Sequence, residues 1–194
     1  AIPGVASVLH PVTLARRVMP DTRHVLPAGD GAERFADAAG VERVPNSHFD
    51  TEARRRALEE ALREREATGL TAPRDRRLDY GTVGCVVRDR EGRLAAATST
   101  GGMTAKRWGR VGDTPIVGAG TYADGFAAVS CTGTGEEFIR HGVARAVSAR
   151  MQFAGQTLAE ATRAVGFDVL QEGDGGPIAV DRDGNLAAPF NSTG

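Results

Sequence analysis

At 194 residues with 41% hydrophobic content, the chain has the length of a single domain and enough apolar surface to build a core. A net charge of -1 and a pI near 6.5 give it no electrostatic reason to seek a nucleic-acid backbone or an anionic membrane. No apolar run approaches the roughly 20 residues of a membrane span, and no charged-then-apolar leader opens the sequence, so the expectation is a globular cytoplasmic protein.

The first 68 residues read as helical and carry no visible chemistry. Val12, Leu14, Ala15, Val18 and Met19 recur at helical spacing, predicting a helix from Pro11 to Met19 that stops at Pro20, since proline cannot continue the ladder. His24 to Leu26 reads as a short strand. Ala32, Phe35, Ala36 and Ala39 share one face of a helix over Gly31 to Ala39, closed by Gly40. Asp50 or Thr51 caps a longer helix to Thr68, stopped by Gly69. Its pairs Glu59 with Arg63 and Arg55 with Glu59 mark a solvated face rather than a coiled coil. His10, His24 and His48 have no neighbour at metal-ligand spacing. From Gly69 to Gly81, glycine, proline and arginine without periodicity predict a linker.

Beyond the linker the composition changes. Thr82 to Arg88 and Leu94 to Thr100 form strands joined by the turn at residues 89–93, a hairpin that brings Thr82 near Thr98 or Thr100 at its open end. A long loop from Met103 to Tyr122 carries Arg110 and Asp113, and loops of that length are commonly functional. Ala127 to Cys131 is a strand. It runs into Thr132-Gly133-Thr134-Gly135-Glu136, either a turn capped by Thr132 or Thr134 or a place where backbone amides approach a ligand. Glu136 to Phe153 is one helix; Thr157, with Glu160 in a capping box, opens another to Leu170. Pro177 to Val180 and Leu186 to Phe190 form a last hairpin around Asp181-Arg182-Asp183-Gly184-Asn185. Hairpins separated by pairs of helices give an α+β class, and the apolar residues on both faces of the strand after Thr82 imply cover on both sides, as in a four-layer αββα sandwich.

Chemistry centres on Thr82. Its hydroxyl is a weak nucleophile and no histidine is adjacent in sequence, so one reading is a β-branched residue opening a strand. The other cuts the chain between Gly81 and Thr82. The new α-amine, with a reference pKa of about 7.7 to 8.0, then serves the hydroxyl as its own base. A rival pairs Cys131 with His141, although no third, orienting residue is identifiable. Cys85 and Cys131 otherwise lack metal-ligand spacing and suit a reducing compartment.

The segments Gly81-Thr82-Val83-Gly84, Thr98-Ser99-Thr100-Gly101-Gly102, Gly109-Arg110-Val111-Gly112-Asp113, Gly118-Ala119-Gly120-Thr121 and Ser130-Cys131-Thr132-Gly133-Thr134-Gly135, in this order and spacing, resemble the plant-type L-asparaginase and isoaspartyl peptidase family of N-terminal nucleophile (Ntn) hydrolases. The resemblance implies one Ntn-hydrolase domain over residues 1–194 that cuts itself between Gly81 and Thr82. An α piece, 1–81, and a β piece, 82–194, result, expected to assemble as a dimer of αβ heterodimers. It implies Thr82 as nucleophile, Thr100 as its orienting partner, and Thr132 hydroxyl with Gly133 N–H as the oxyanion hole. Arg110 and the Gly135 amide would take the substrate α-carboxylate and Asp113 its α-amine. The substrates would be L-asparagine and β-aspartyl dipeptides. No cofactor is required, and the loop that holds a structural sodium in the family has no counterpart in this sequence. The alternative is a truncated, non-catalytic homologue that acts as an assembly or binding subunit.

Overall fold

The computed structural model describes residues 1–69 and 81–192. The chain divides into two compact units: Ala1–Gly81 with Gly101–Val111, and Thr82–Thr100 with Gly112–Gly194. The predicted linker lies almost wholly at positions 70–80, outside the described residues.

The first unit holds α1 (Pro11–Asp21), α2 (Gly29–Ala38), a 3-10 turn (Asn46–Phe49) and α3 (Glu52–Thr68). Ile2, Val8, Leu14, Val18, Ala32 and Ala36 form its apolar core. Contrary to expectation, α1 does not stop at Pro20 but runs to Asp21. In a last turn a proline costs only one ladder bond, and that turn is held by the Thr22 hydroxyl, which donates to Val18 O at 2.9 Å, and by the Arg17–Asp21 pair at 2.5 Å. His24 to Leu26 is not a strand; the Val25 carbonyl accepts from the Ala1 amino group at 2.7 Å instead. α2 begins two residues before the expected Gly31. α3 has the expected ends: the Thr51 hydroxyl accepts from Arg54 N–H, and Gly69 turns left-handed at φ 69°. On its surface Arg63 meets Glu59 at 3.9 Å, whereas Arg55 turns to Asp50 at 3.1 Å.

The second unit begins with the hairpin β1 (Val83–Arg88) and β2 (Leu94–Ser99), antiparallel with Val83 opposite Ser99. β3 (Thr121–Ala123), β4 (Ala127–Gly133), β5 (Gly175–Asp181) and β6 (Leu186–Ala187) make a four-stranded antiparallel sheet in that order. The hairpin packs on the β3, β4 and β5 side of this sheet, and α5 (Val143–Ala154) and α6 (Leu158–Ala164) pack on it as well. β4 runs through the middle with residues Ala127 to Cys131 all buried. Its odd-numbered residues Ala127, Val129 and Cys131 join Phe138, Val143, Val147, Leu158, Ala161 and Val165 in the core. Its even-numbered Ser130 faces the hairpin, within 2.2 Å of where a Cβ on Gly84 would stand.

Four expectations for this unit need correcting. The strand after Thr82 is not covered on both faces: Val83, Cys85 and Val87 are exposed, Val83 to 67%. The predicted helix over Glu136 to Phe153 is two helices, α4 (Gly135–His141) and α5, broken at Gly142, whose left-handed φ of 55° and ψ of 45° end the first ladder. The break lets the Ala144 and Arg145 amides bond the Ala119 and Gly118 carbonyls at 3.0 and 2.8 Å, a tertiary anchor that a straight helix forgoes. α6 starts with the expected capping box of Thr157 and Glu160, but after Ala164 it widens into a π turn, Val165–Val169. β6 is shorter than the expected strand to Phe190.

Candidate active site

Thr82 precedes β1 by one residue, so the antiparallel register that sets Val83 opposite Ser99 sets Thr82 opposite Thr100. Their hydroxyls meet, Thr82 Oγ1 donating to Thr100 Oγ1 at 3.1 Å. The alternative neighbour, Thr98, is engaged elsewhere. It pairs with Ser130 Oγ at 2.7 Å and receives the Thr121 hydroxyl at 2.6 Å. Gly81 and Thr82 are joined in this structure, so the geometry belongs to the uncut chain.

Thr132 and Gly133 end β4, where the strand leaves the core and becomes exposed. Gly133 has φ 149°, and a Cβ there would stand 1.8 Å from the Asp174 carbonyl, so only glycine lets β4 and β5 close at this point. That carbonyl accepts from Thr134 N–H at 2.8 Å and fixes the turn into α4. Thr134 occupies the cap position of α4 without a side-chain cap bond, and Gly135 is buried as its first residue. Neither proposed cap, Thr132 or Thr134, therefore caps through its hydroxyl.

Asp113 is buried at 7% exposure. Its carbonyl takes Ile116 N–H at 2.9 Å and Gly120 N–H at 3.1 Å, and a side chain on Gly120 would strike its carboxylate within 2.6 Å. The turn is thus folded around Asp113. Arg110 lies in the other unit, in Gly101–Val111, its N–H bonded to Arg107 O at 2.9 Å. In the same segment, burial and then the neighbouring Arg110 charge lower the Lys106 ammonium pKa, and Lys106 bonds the Gly101 carbonyl. Ala105 and Trp108 both adopt left-handed backbone, at φ 56° and 52°.

Cys131 is ill suited to attack. Burial, followed by the Asp113 carboxylate, pushes its thiol well above the ordinary value, and its partner in the rival reading, His141, is exposed and 3.8 Å from Glu137. Among the described residues no cluster of histidine, cysteine, aspartate and glutamate is placed to hold a metal ion, and no helix is long and apolar enough to cross a membrane.

Sequence reasoning missed Ser130 and Thr121. The signal was present as hydroxyl residues within apolar strands, but which of them meet depends on how two sheets stack.

The family described as Asparaginase matches residues 1–194. The chain is 50% identical to the isoaspartyl peptidase of Salmonella typhimurium over 202 residues, covering all of this chain and 64% of that protein. It is 50% identical to the isoaspartyl peptidase of Escherichia coli over 200 residues, 62% of that protein. It is 40% identical to the isoaspartyl peptidase/L-asparaginase of Bos taurus over 196 residues, again 62% of that length. The chain thus spans somewhat less than two thirds of these relatives. Identity at this level along the whole chain has one reading: the chain belongs to the isoaspartyl peptidase/L-asparaginase family of Ntn hydrolases.

Proposed function

We propose that this chain carries the threonine machinery of an amidohydrolase that cleaves L-asparagine to aspartate and ammonia and hydrolyses β-aspartyl dipeptides. The observation that carries the reading is the Thr82–Thr100 hydroxyl contact at the open end of the β1–β2 hairpin, in a chain of this family.

Activation comes first. Thr82 Oγ attacks the Gly81 carbonyl carbon, the peptide nitrogen leaves as the α-amine of Thr82, and water hydrolyses the resulting ester to free the Gly81 carboxylate. The pieces 1–81 and 82–194 remain associated, and two such pairs form the dimer.

In turnover the freed amine accepts the Thr82 hydroxyl proton as Oγ attacks the side-chain carbonyl carbon of the aspartyl group. Thr100 orients the hydroxyl. Negative charge developing on the carbonyl oxygen is met by the Thr132 hydroxyl and the Gly133 N–H, donors of a kind whose loss costs about 10² to 10³ in rate. The amine returns its proton to the departing nitrogen, so ammonia or an amino acid leaves and an aspartyl ester remains. Water then attacks the ester, gives its proton to the amine, and aspartate is released as Thr82 regains its hydroxyl. Asp113 holds the substrate α-amine. Arg110, in a bidentate grip, and the Gly135 amide hold the α-carboxylate, charge-assisted bonds of about 1.5 to 3 kcal/mol each.

The test is Thr82→Ala. The variant is expected to remain one uncut polypeptide and to release no aspartate from L-asparagine or from a β-aspartyl dipeptide, while the wild type yields a fragment beginning at Thr82. Aspartate release by the variant removes Thr82 as nucleophile. A wild type that stays intact and inactive favours the non-catalytic reading.

A further inference from the structure

The geometry points to Thr98 and Ser130 as positioning residues that set the spacing between the nucleophile and the oxyanion donors, an inference that rests on the functional reading above. The nucleophile belongs to a hairpin of only two strands. The oxyanion donors Thr132 and Gly133 belong to a different sheet. Among the described residues no backbone ladder joins the two sheets, so side chains have to fix one against the other.

Alternation along the strands supplies the candidates. Thr98 on β2 and Thr100 just past its end lie two residues apart, as do Ser130 and Thr132 on one face of β4, a spacing of about 6.6 to 6.8 Å in extended chain. Thr98 and Ser130 meet across the inter-sheet gap at 2.7 Å, a single step from the pair of positions where the chemistry occurs.

Three features make this contact a built one. Gly84, opposite Thr98 on β1, leaves the space that Ser130 Oγ fills, for a Cβ there would come within 2.2 Å of it. Thr121 on β3 donates to Thr98 at 2.6 Å, and Thr98 Oγ1 lies 2.7 Å from Ser130 Oγ, a bond either hydroxyl can donate, and 3.4 Å from the Gly120 carbonyl. The Thr121 hydroxyl also lies 3.1 Å from the carbonyl of Thr114, the residue after Asp113. One hydroxyl cluster therefore ties together the strand that bears Thr100, the strand that bears Thr132 and the turn that bears Asp113. At the hairpin's other end Arg88 Nε donates to the Arg182 carbonyl at 2.6 Å, far along the strands from Thr82.

Neither Thr98 nor Ser130 touches the reacting atoms in this scheme. Their loss shifts Thr82 relative to the oxyanion donors, and misplacements near 1 Å cost up to about 10²-fold in rate.

The experiment compares Thr98→Val, which keeps the shape without the hydroxyl, Ser130→Ala, and Thr98→Ser, which restores the hydroxyl, all in the full-length protein at a temperature well below unfolding. Wild type and Thr82→Ala are assayed beside them with L-asparagine and a β-aspartyl dipeptide. The expected result is a fall in kcat of about 10- to 100-fold for Thr98→Val and Ser130→Ala, with KM changed less than about threefold and the pH profile unmoved, and recovery of most of the rate by Thr98→Ser. Should Thr98→Val fail to fold, Ser130→Ala, which removes one oxygen and adds nothing, carries the comparison. Wild-type kcat in Ser130→Ala or Thr98→Val overturns the positioning role, as does a loss of rate that Thr98→Ser does not restore. An active Thr82→Ala or an inactive wild type overturns the functional reading itself, and so is distinguishable.

Discussion

β1 and β4 make an instructive pair. Both are short strands rich in small and apolar residues, both contain a cysteine, and both lead to or from a glycine in a motif of the proposed site. Yet β4 is buried from Ala127 to Cys131, whereas β1 leaves Val83, Cys85 and Val87 exposed. The difference comes from position in the stack. β4 has the hairpin on one face and the helices on the other; among the described elements β1 packs closely on the four-stranded sheet alone, through β4 and β5. Apolar composition shows that a strand can be buried, not how many layers reach it.

The comparison breaks or holds most visibly in the helical core behind β4. Phe138→Ala removes a ring with no exposure and is expected to cost about 3 to 5 kcal/mol in denaturant unfolding. Next comes Asp124, at the β3–β4 turn. Desolvation raises its pKa, but the Ser148 hydroxyl, the Phe126 and Ala127 amides and Arg145 together outweigh that and lower it from the ordinary aspartate value. A depressed folded pKa stabilises above the unfolded value and ceases to do so as pH falls through the folded one. Asp124→Asn is therefore expected to cost about 1.5 kcal/mol at pH 7 and progressively less below about pH 4, read from unfolding curves across that range. A gap between the two proteins that widens in acid contradicts the assignment.

Thr157→Ala, which strips the capping box from α6 on the same side of the sheet, is expected to cost about 1 kcal/mol. The smallest effect belongs to β1: Val83→Ala should fall within about 0.5 kcal/mol of wild type, because the side chain it truncates is already in water. Thiol labelling sharpens the contrast without a mutation. Cys85 should react with an alkylating reagent in the native protein, while Cys131, at 2% exposure and with its thiol pKa raised, should react only after unfolding. Equal rates for the two would erase the distinction between the strands.

Legibility followed the range of the interactions. The ends of α3 at Thr51 and Gly69, the box at Thr157 and Glu160, and the hairpin that faces Thr82 with Thr100 are all settled within a few residues or across one tight turn. Not every misreading is tertiary: α1 passes Pro20 because contacts only four residues apart, Thr22 to Val18 and Arg17 to Asp21, hold its last turn. The helix after Glu136 breaks at Gly142 because the carbonyls of Gly118 and Ala119 attract the next turn's amides. Of the proposed site, the Thr82–Thr100 contact is a matter of register, whereas the Thr98–Ser130 contact required knowing which strand of one sheet lies over which strand of the other.

The sequence by itself determined the family and the local elements, because motif order, caps and turn residues act over short stretches of chain. The tertiary structure alone decided that Cys131 is sealed while Cys85 is open, that Gly84 makes room for Ser130, and that Gly133 closes on Asp174. Each of these depends on groups far apart in the chain meeting at van der Waals or hydrogen-bonding distance, and a linear order of residues does not encode that approach directly.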